Sequence, residues 1–304
     1  MIYRLFLILL LLGFTQLFPQ KFPQNDKISV NGIPLDFPML SIAVMPGDSI
    51  RLLTEQAETE ILLSIGDSVL QSNGHSMLAW VAPVKPGIYE HAIRTNSSAN
   101  IIKVVVMKNM DEIKKSSSHF IMGNYPSKTF RNLPEYANPE GMIEVTEENQ
   151  ETFLSTHFRL KDFLTRQQGG FPKYVIVSPK LIYKLELIIR RLEEKGVKVE
   201  NMAVLSGYRT PYYNGSIGNG RNSRHVYGDA ADIYVDNNND QRMDDINGDG
   251  KINVEDARFL SVIIDEIDKD PRNKWLSGGM GVYRNNGSHS EFVHTDTRGT
   301  IIRW

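Results

Sequence analysis

Residues 27–107 alternate apolar and polar positions in short runs, among them ISVNGIPL, LSIAVMPGDSIRLL, HSMLAWVAPVKPGIYEHAIRT and NIIKVVVM. A period of two puts every second side chain on one face, the signature of a half-buried strand, and Gly, Pro and Asn between the runs mark turns. Several such strands in succession predict a small antiparallel sandwich. DEIKKSSS then breaks the pattern and reads as a polar linker over 109–118. From 119 to 150 the chain is mixed, with GMIEVT as one expected strand. Beyond 156 the period changes. LKDFLTRQ predicts a short helix, and Ser178-Pro179 opens a longer one, with Ser as N-cap and Pro at the first turn. Leu181, Ile182, Leu185, Ile188, Ile189 and Leu192 form its apolar stripe, and Gly196 stands where a C-cap glycine belongs. Strands are expected at 202–205, 230–235 and 292–296, and a second helix at 254–267, before Asp270-Pro271. Helices among strands that do not alternate with them point to an α+β domain.

The phrase PGIYEHAIRT before IIKVVVM resembles the last hairpin of an immunoglobulin-like (Ig-like) domain. This first domain, 24–108, carries no constellation of catalytic residues, so its expected role is that of a spacer or binding module for a wall or protein partner. Ahead of it, Arg4 precedes an unbroken apolar run over 5–14. The run is shorter than the about 20 residues of a spanning helix, so residues 1–20 read as a secretory signal, with an uncleaved membrane anchor as the alternative. The formal net charge of -2 offers no basic surface for nucleic acid. Cysteine is absent, which excludes disulfides, a thiol nucleophile, thiolate metal ligands and a lipidated N-terminal Cys. The same absence suits an oxidising exterior, and a secreted or periplasmic location is expected.

Candidate chemistry concentrates in SGYRT, SRHVYGDAADI and HSEFVHTDTRG. His225 and Asp232 stand in an H-x6-D spacing, and His294 closes a later E-x-x-H that begins at Glu291. Two imidazoles and one carboxylate are a set zinc uses when a fourth position stays open to water. A further carboxylate three residues before the last histidine supplies the base such water needs. Taken singly, a His or Asp near a strand end is usually a surface or capping residue; the combination inside its flanks carries the signal. Asp296 is a rival base, but it reads better as a group that orients a ligand histidine.

These motifs, in this order over 156–304, resemble the zinc D-Ala-D-Ala carboxypeptidase family, which includes D,D-carboxypeptidases, vancomycin-resistance D,D-peptidases and endolysins. The resemblance implies that His225, Asp232 and His294 hold zinc, that Glu291 is the base, and that Arg209 of SGYRT contacts the substrate carbonyl. It places Ser223 and His289 along the substrate cleft. It implies a hedgehog-like α+β domain over 119–304, with an antiparallel sheet and flanking helices, after the all-β Ig-like sandwich. Peptidoglycan stem peptides are the implied partner, cleaved near D-alanine. A catalytically silent, metal-stabilised binding protein is the competing class, and a peptidase for a non-wall substrate the third; intact Glu291 and Arg209 favour an enzyme.

An acidic insertion, 236–256, departs from the family pattern. Asp245, Asn247, Asp249, the Lys251 carbonyl and Asp256 occupy positions 1, 3, 5, 7 and 12 of a calcium loop, with Gly250 at position 6 and Ile252 at position 8. Calcium there is expected to be structural. Asp236, Asn238 and Asp240 repeat the start of the motif, but Gln241 replaces the glycine.

Overall fold

The computed structural model describes residues 27–55, 59–96, 98–116 and 120–304, so the segment read as a signal or anchor lies outside the described residues. No helix among the described residues is long and apolar enough to cross a membrane.

The alternating runs form two sheets. The first has the order β2-β1-β4-β7, built from β1 (Ile28–Val30), β2 (Ile33–Pro34), β4 (Ser49–Thr54) and β7 (Met77–Val81). The second runs β3-β9-β8-β5-β6, from β3 (Met39–Val44), β5 (Leu62–Ile65), β6 (Ser68–Gln71), β8 (Gly87–Arg94) and β9 (Ala99–Val106). Along β4 and β7 exposed and buried residues alternate, and the inward set is Ile50, Leu52, Leu78 and Trp80. Pairing is antiparallel except between β3 and β9, which run parallel. Trp80 of the first sheet meets His91 of the second edge to face, at 6.2 Å between ring centroids.

Residues 109–116 of the segment expected to be a linker form the end of a strand and a helix. β10 (Lys108–Asn109) pairs with β11 (Gly141–Val145), which pairs with β12 (Lys173–Val175), and α1 (Met110–Ser116) follows β10 directly. Met110 and Ile113, one helical turn apart, are buried in the core. Of the polar residues that suggested a linker, Asp111, Glu112 and Lys114 stand on the exposed side of this helix. Lys108 also binds Glu144 at 2.6 Å, tying β10 to β11.

Helix α2 (Pro179–Glu194) buries the expected stripe, and Gly196 takes the left-handed conformation at φ +84°. Its other side meets the sandwich. Tyr183 donates to Asp36 and stacks edge-on against Phe37 at 5.0 Å, while Arg190 donates to the Asp36 carbonyl at 2.6 Å. The sandwich therefore rests on the second domain rather than hanging from a tether. LKDFLTRQ yields only a 3-10 turn, Leu160–Phe163.

The last sheet has the order β13-β14-β16-β15-β17, from β13 (Met202–Ser206), β14 (Ala230–Val235), β15 (Gly279–Tyr283), β16 (Phe292–Asp296) and β17 (Ile302–Arg303). Four strands are antiparallel, as expected; β17 joins β15 in parallel. Between β13 and β14 runs the short α3 (Pro211–Ser216), capped by the Thr210 hydroxyl. Helix α4 (Val254–Lys269) covers β15 and β16 and touches α2. Between the two helices lies a fully buried ion pair, Lys184 Nζ to Asp268 Oδ1 at 2.6 Å.

Candidate metal centre

The sheet register assembles the site. Asp232 in β14 stands directly opposite His294 in β16, so their side chains rise from the same face. His225 comes from a tight turn, Arg224–Tyr227, ended by Gly228 at φ +73°. A Cβ at Gly228 would lie 2.3 Å from the Ile176 carbonyl oxygen, so both conformation and space require glycine there. The turn is braced by Arg224, which binds Asp229 through Nε at 2.9 Å and Nη2 at 2.6 Å and lies 4.3 Å from the Tyr136 ring and 4.9 Å from the Tyr227 ring.

Three ligand atoms converge. His294 Nδ1 is 2.9 Å from Asp232 Oδ1 and 3.1 Å from His225 Nε2, and His225 Nε2 is 3.2 Å from Asp232 Oδ1. Donors about 2.0–2.1 Å from one tetrahedral ion stand about 3.3 Å apart, so the triangle fits zinc. All three residues are buried, and they are the one such group of His, Cys, Asp or Glu among the described residues. The outer nitrogens are also committed. His225 Nδ1 meets the Gly207 carbonyl at 2.7 Å, and His294 Nε2 meets Asp296 Oδ2 at 3.2 Å. Protons on those outer atoms leave Nε2 of His225 and Nδ1 of His294 with lone pairs for a metal. Asp296 is in turn held by the Gly279 N–H at 2.8 Å and by the Arg298 guanidinium.

Electrostatics follow from this crowding. Burial pushes His225 below the usual histidine value. Burial opposes charge on His294 as well, but hydrogen bonds and charge from Asp232 and Asp296 outweigh it and push the imidazole up to about 9. Asp232 is also desolvated, yet the two histidines hold it well below the carboxylate range. A metal entering the triangle must displace the proton on His294, so uptake releases a proton at neutral pH.

Of the other expected site residues, Arg209 touches the centre, and Ser223, His289 and Glu291 lie on the chain leading into the two ligand histidines. Arg209 donates to the second oxygen of Asp232 at 2.6 Å and to Ser206 Oγ at 2.8 Å, so it braces a ligand carboxylate. Glu291 lies at the entry to β16, buried, and accepts from Ser290 Oγ at 2.9 Å. His289 packs on Phe292 at 4.8 Å, and its Nδ1 meets the Ser290 carbonyl at 2.7 Å. Ser223 is the residue before the His225 turn. In the acidic insertion the carboxylates serve backbone N–H groups. Asp245 accepts from Gly248 and Gly250, Asn247 from Asp249, Asp249 from Lys251, and Asp256 from Ile246 and Asn253. Ile252, expected at the apolar position of the loop, is exposed.

A family model described as Peptidase M15 matches residues 139–251. The chain resembles the zinc D-Ala-D-Ala carboxypeptidase family over that segment. The M15 match takes in Arg209, His225 and Asp232 and stops before Glu291 and His294, and the sheet register sets His294 opposite Asp232. The M15 family indicates a zinc metallopeptidase, and the mixed sheet-and-helix domain fits it. No curated protein matches the chain.

Sequence reasoning passed over two residues that border the candidate centre. Gly207 lends its carbonyl to His225, and a Cβ there would lie 2.7 Å from Phe163 Cα. Trp304 sets its ring 5.2 Å from His294, over Gly281, where a Cβ would come within 2.3 Å of the indole nitrogen. Neither neighbour is close in sequence to its histidine, and Trp304 arrives through the pairing of β17 with β15.

Proposed function

We propose that the protein is a zinc peptidase acting on peptidoglycan stem peptides near D-alanine, as a carboxypeptidase or an endopeptidase. The observation that carries this reading is the His225–Asp232–His294 triangle, with both outer imidazole nitrogens committed and a buried carboxylate at the entry to the same strand. Zinc in the triangle would supply Lewis-acid polarisation of water and of the scissile carbonyl. Glu291 takes the proton of the attacking water and hands it to the leaving amine. Arg209 fixes the ligand carboxylate and puts positive charge beside the site, where negative charge develops on the carbonyl oxygen. His289 and Ser223 line the approach of the peptide.

The remaining parts of the reading concern where the enzyme works. A secreted or periplasmic location agrees with the apolar N-terminal run and the lack of cysteine. The orders β2-β1-β4-β7 and β3-β9-β8-β5-β6 support an Ig-like sandwich, which would hold the catalytic domain at the wall or at a partner. Calcium in the 245–256 loop is supported by the turn of side-chain oxygens around Gly250, at φ +80°. Digestion of purified muropeptides with mass analysis of the products tests the substrate. Release of D-alanine or opening of cross-links supports the proposal, whereas cleavage confined to peptides of L-residues would move the enzyme to a non-wall substrate.

A further inference from the structure

Ser290 connects two parts of the molecule that the sequence keeps apart. Its hydroxyl accepts from the Met243 N–H at 2.9 Å and donates to Glu291 Oε2 at 2.9 Å. Met243 is fully buried and lies inside the acidic insertion, between its two Asp-x-Asn-x-Asp stretches. The insertion around it is tightly bonded. Asp244 donates its N–H to the Val235 carbonyl at 2.9 Å and accepts from Asn237 at 2.7 Å, and the buried Asp256 accepts from Ile246 at 3.0 Å.

A hydroxyl has one proton to give. With the Met243 N–H filling an acceptor position, the Ser290 proton is directed to the Glu291 carboxylate. A hydrogen bond to an ionised oxygen is shorter and stronger than one between neutral groups, and burial of both residues strengthens it further. Oε2 is thereby committed and the rotation of the carboxylate fixed, which leaves Oε1 as the oxygen available to a water.

We propose that Ser290 is a positioning residue for the peptidase reaction: its hydroxyl, oriented by the backbone of the acidic insertion, holds Glu291 in the attitude of a general base. The inference rests on the peptidase reading. It gives the insertion a catalytic consequence, because the ordered 236–256 segment sets Met243, Met243 sets the hydroxyl, and the hydroxyl sets the base. It also explains why a serine stands beside the glutamate: alanine would leave the buried Met243 N–H without an acceptor and Glu291 free to turn.

The test compares Ser290→Ala and Ser290→Thr with wild type in muropeptide hydrolysis, with zinc content measured for each protein. The Ala variant is expected to keep zinc and KM while kcat falls about 10- to 100-fold, the range for loss of a partner that orients a site group. Thr keeps the hydroxyl and is expected to recover most of kcat. An Ala variant with wild-type kcat, a fall that follows zinc loss, or a Thr variant as slow as Ala would each overturn the proposal while the peptidase reading stands. A zinc-loaded wild type that cleaves no peptide would overturn that reading, and this inference with it.

Discussion

Asp296→Asn isolates the group that sets the tautomer of a ligand histidine. Asp296 is fully buried, takes the Nε2–H of His294 at 3.2 Å, and is held by the Gly279 N–H and by Arg298 Nε, each within 2.9 Å. Asparagine preserves size but has one carbonyl oxygen and one NH2. With the oxygen kept by Gly279 and Arg298, the NH2 faces Nε2, donor against donor. His294 then favours a proton on Nδ1, the atom that must carry the lone pair for the metal. Second partners of metal-bound histidines are worth about 10- to 100-fold in affinity, or about 1.4–2.7 kcal/mol at 1.4 kcal/mol per decade. Competition with a chromophoric chelator at fixed pH reads this directly: the variant's zinc Kd should rise by one to two decades while its circular dichroism stays native. A Kd within about twofold of wild type would refute the idea that Asp296 prepares the ligand, and would reopen its candidacy as the base.

Lys184→Met keeps the volume of a buried side chain but strands Asp268, whose remaining partner is the half-buried Arg303. Breaking such a pair costs about 3–5 kcal/mol, so the melting temperature should fall on the order of 10 °C. His91, buried between the sandwich sheets, has its pKa pushed below the histidine norm by desolvation. The unfolded chain therefore binds the proton first, and stability is level above about pH 6.5 and falls below it, by up to about 1.4 kcal/mol per pH unit. In His91→Phe, melts between pH 7.5 and 5 should lose that part of the slope. Removing zinc with a chelator should lower the melting temperature, since a metal at 100 times its Kd stabilises by about 2.7 kcal/mol. An unchanged melt would mean that the triangle holds no ion.

Motifs and periodicity carried the core of this account. The α2 stripe, the α4 span and the strands bearing Asp232 and His294 appear where the pattern placed them, because each element buries one face and its sequence records which one. The convergence of His225 with Asp232 and His294 was legible because H-x6-D and E-x-x-H are spacings that chemistry restricts. The failures have physical reasons. A seven-residue helix whose apolar residues are Met110 and Ile113 leaves too little apolar signal to tell it from a linker. The docking of the sandwich through Asp36, Phe37, Tyr183 and Arg190 depends on contacts far apart in the chain, each made by residues ordinary for a loop or a helix surface. The bond from Arg209 to Asp232 was likewise invisible, because the two residues stand 23 apart in the chain and meet only in the folded protein. Ser290 and Met243 meet only after the insertion has folded back on the strand entry.

Hydrolysis of purified muropeptides by wild type and Glu291→Ala, with zinc quantified in both, tests the central claim most directly. The account predicts about one zinc per chain in each protein, cleavage by wild type, and a fall of at least about 100-fold in the variant, the low end for loss of a general base. Equal rates in the two proteins, or zinc-loaded wild type without activity on any stem peptide, would contradict it and leave the triangle as a structural metal site.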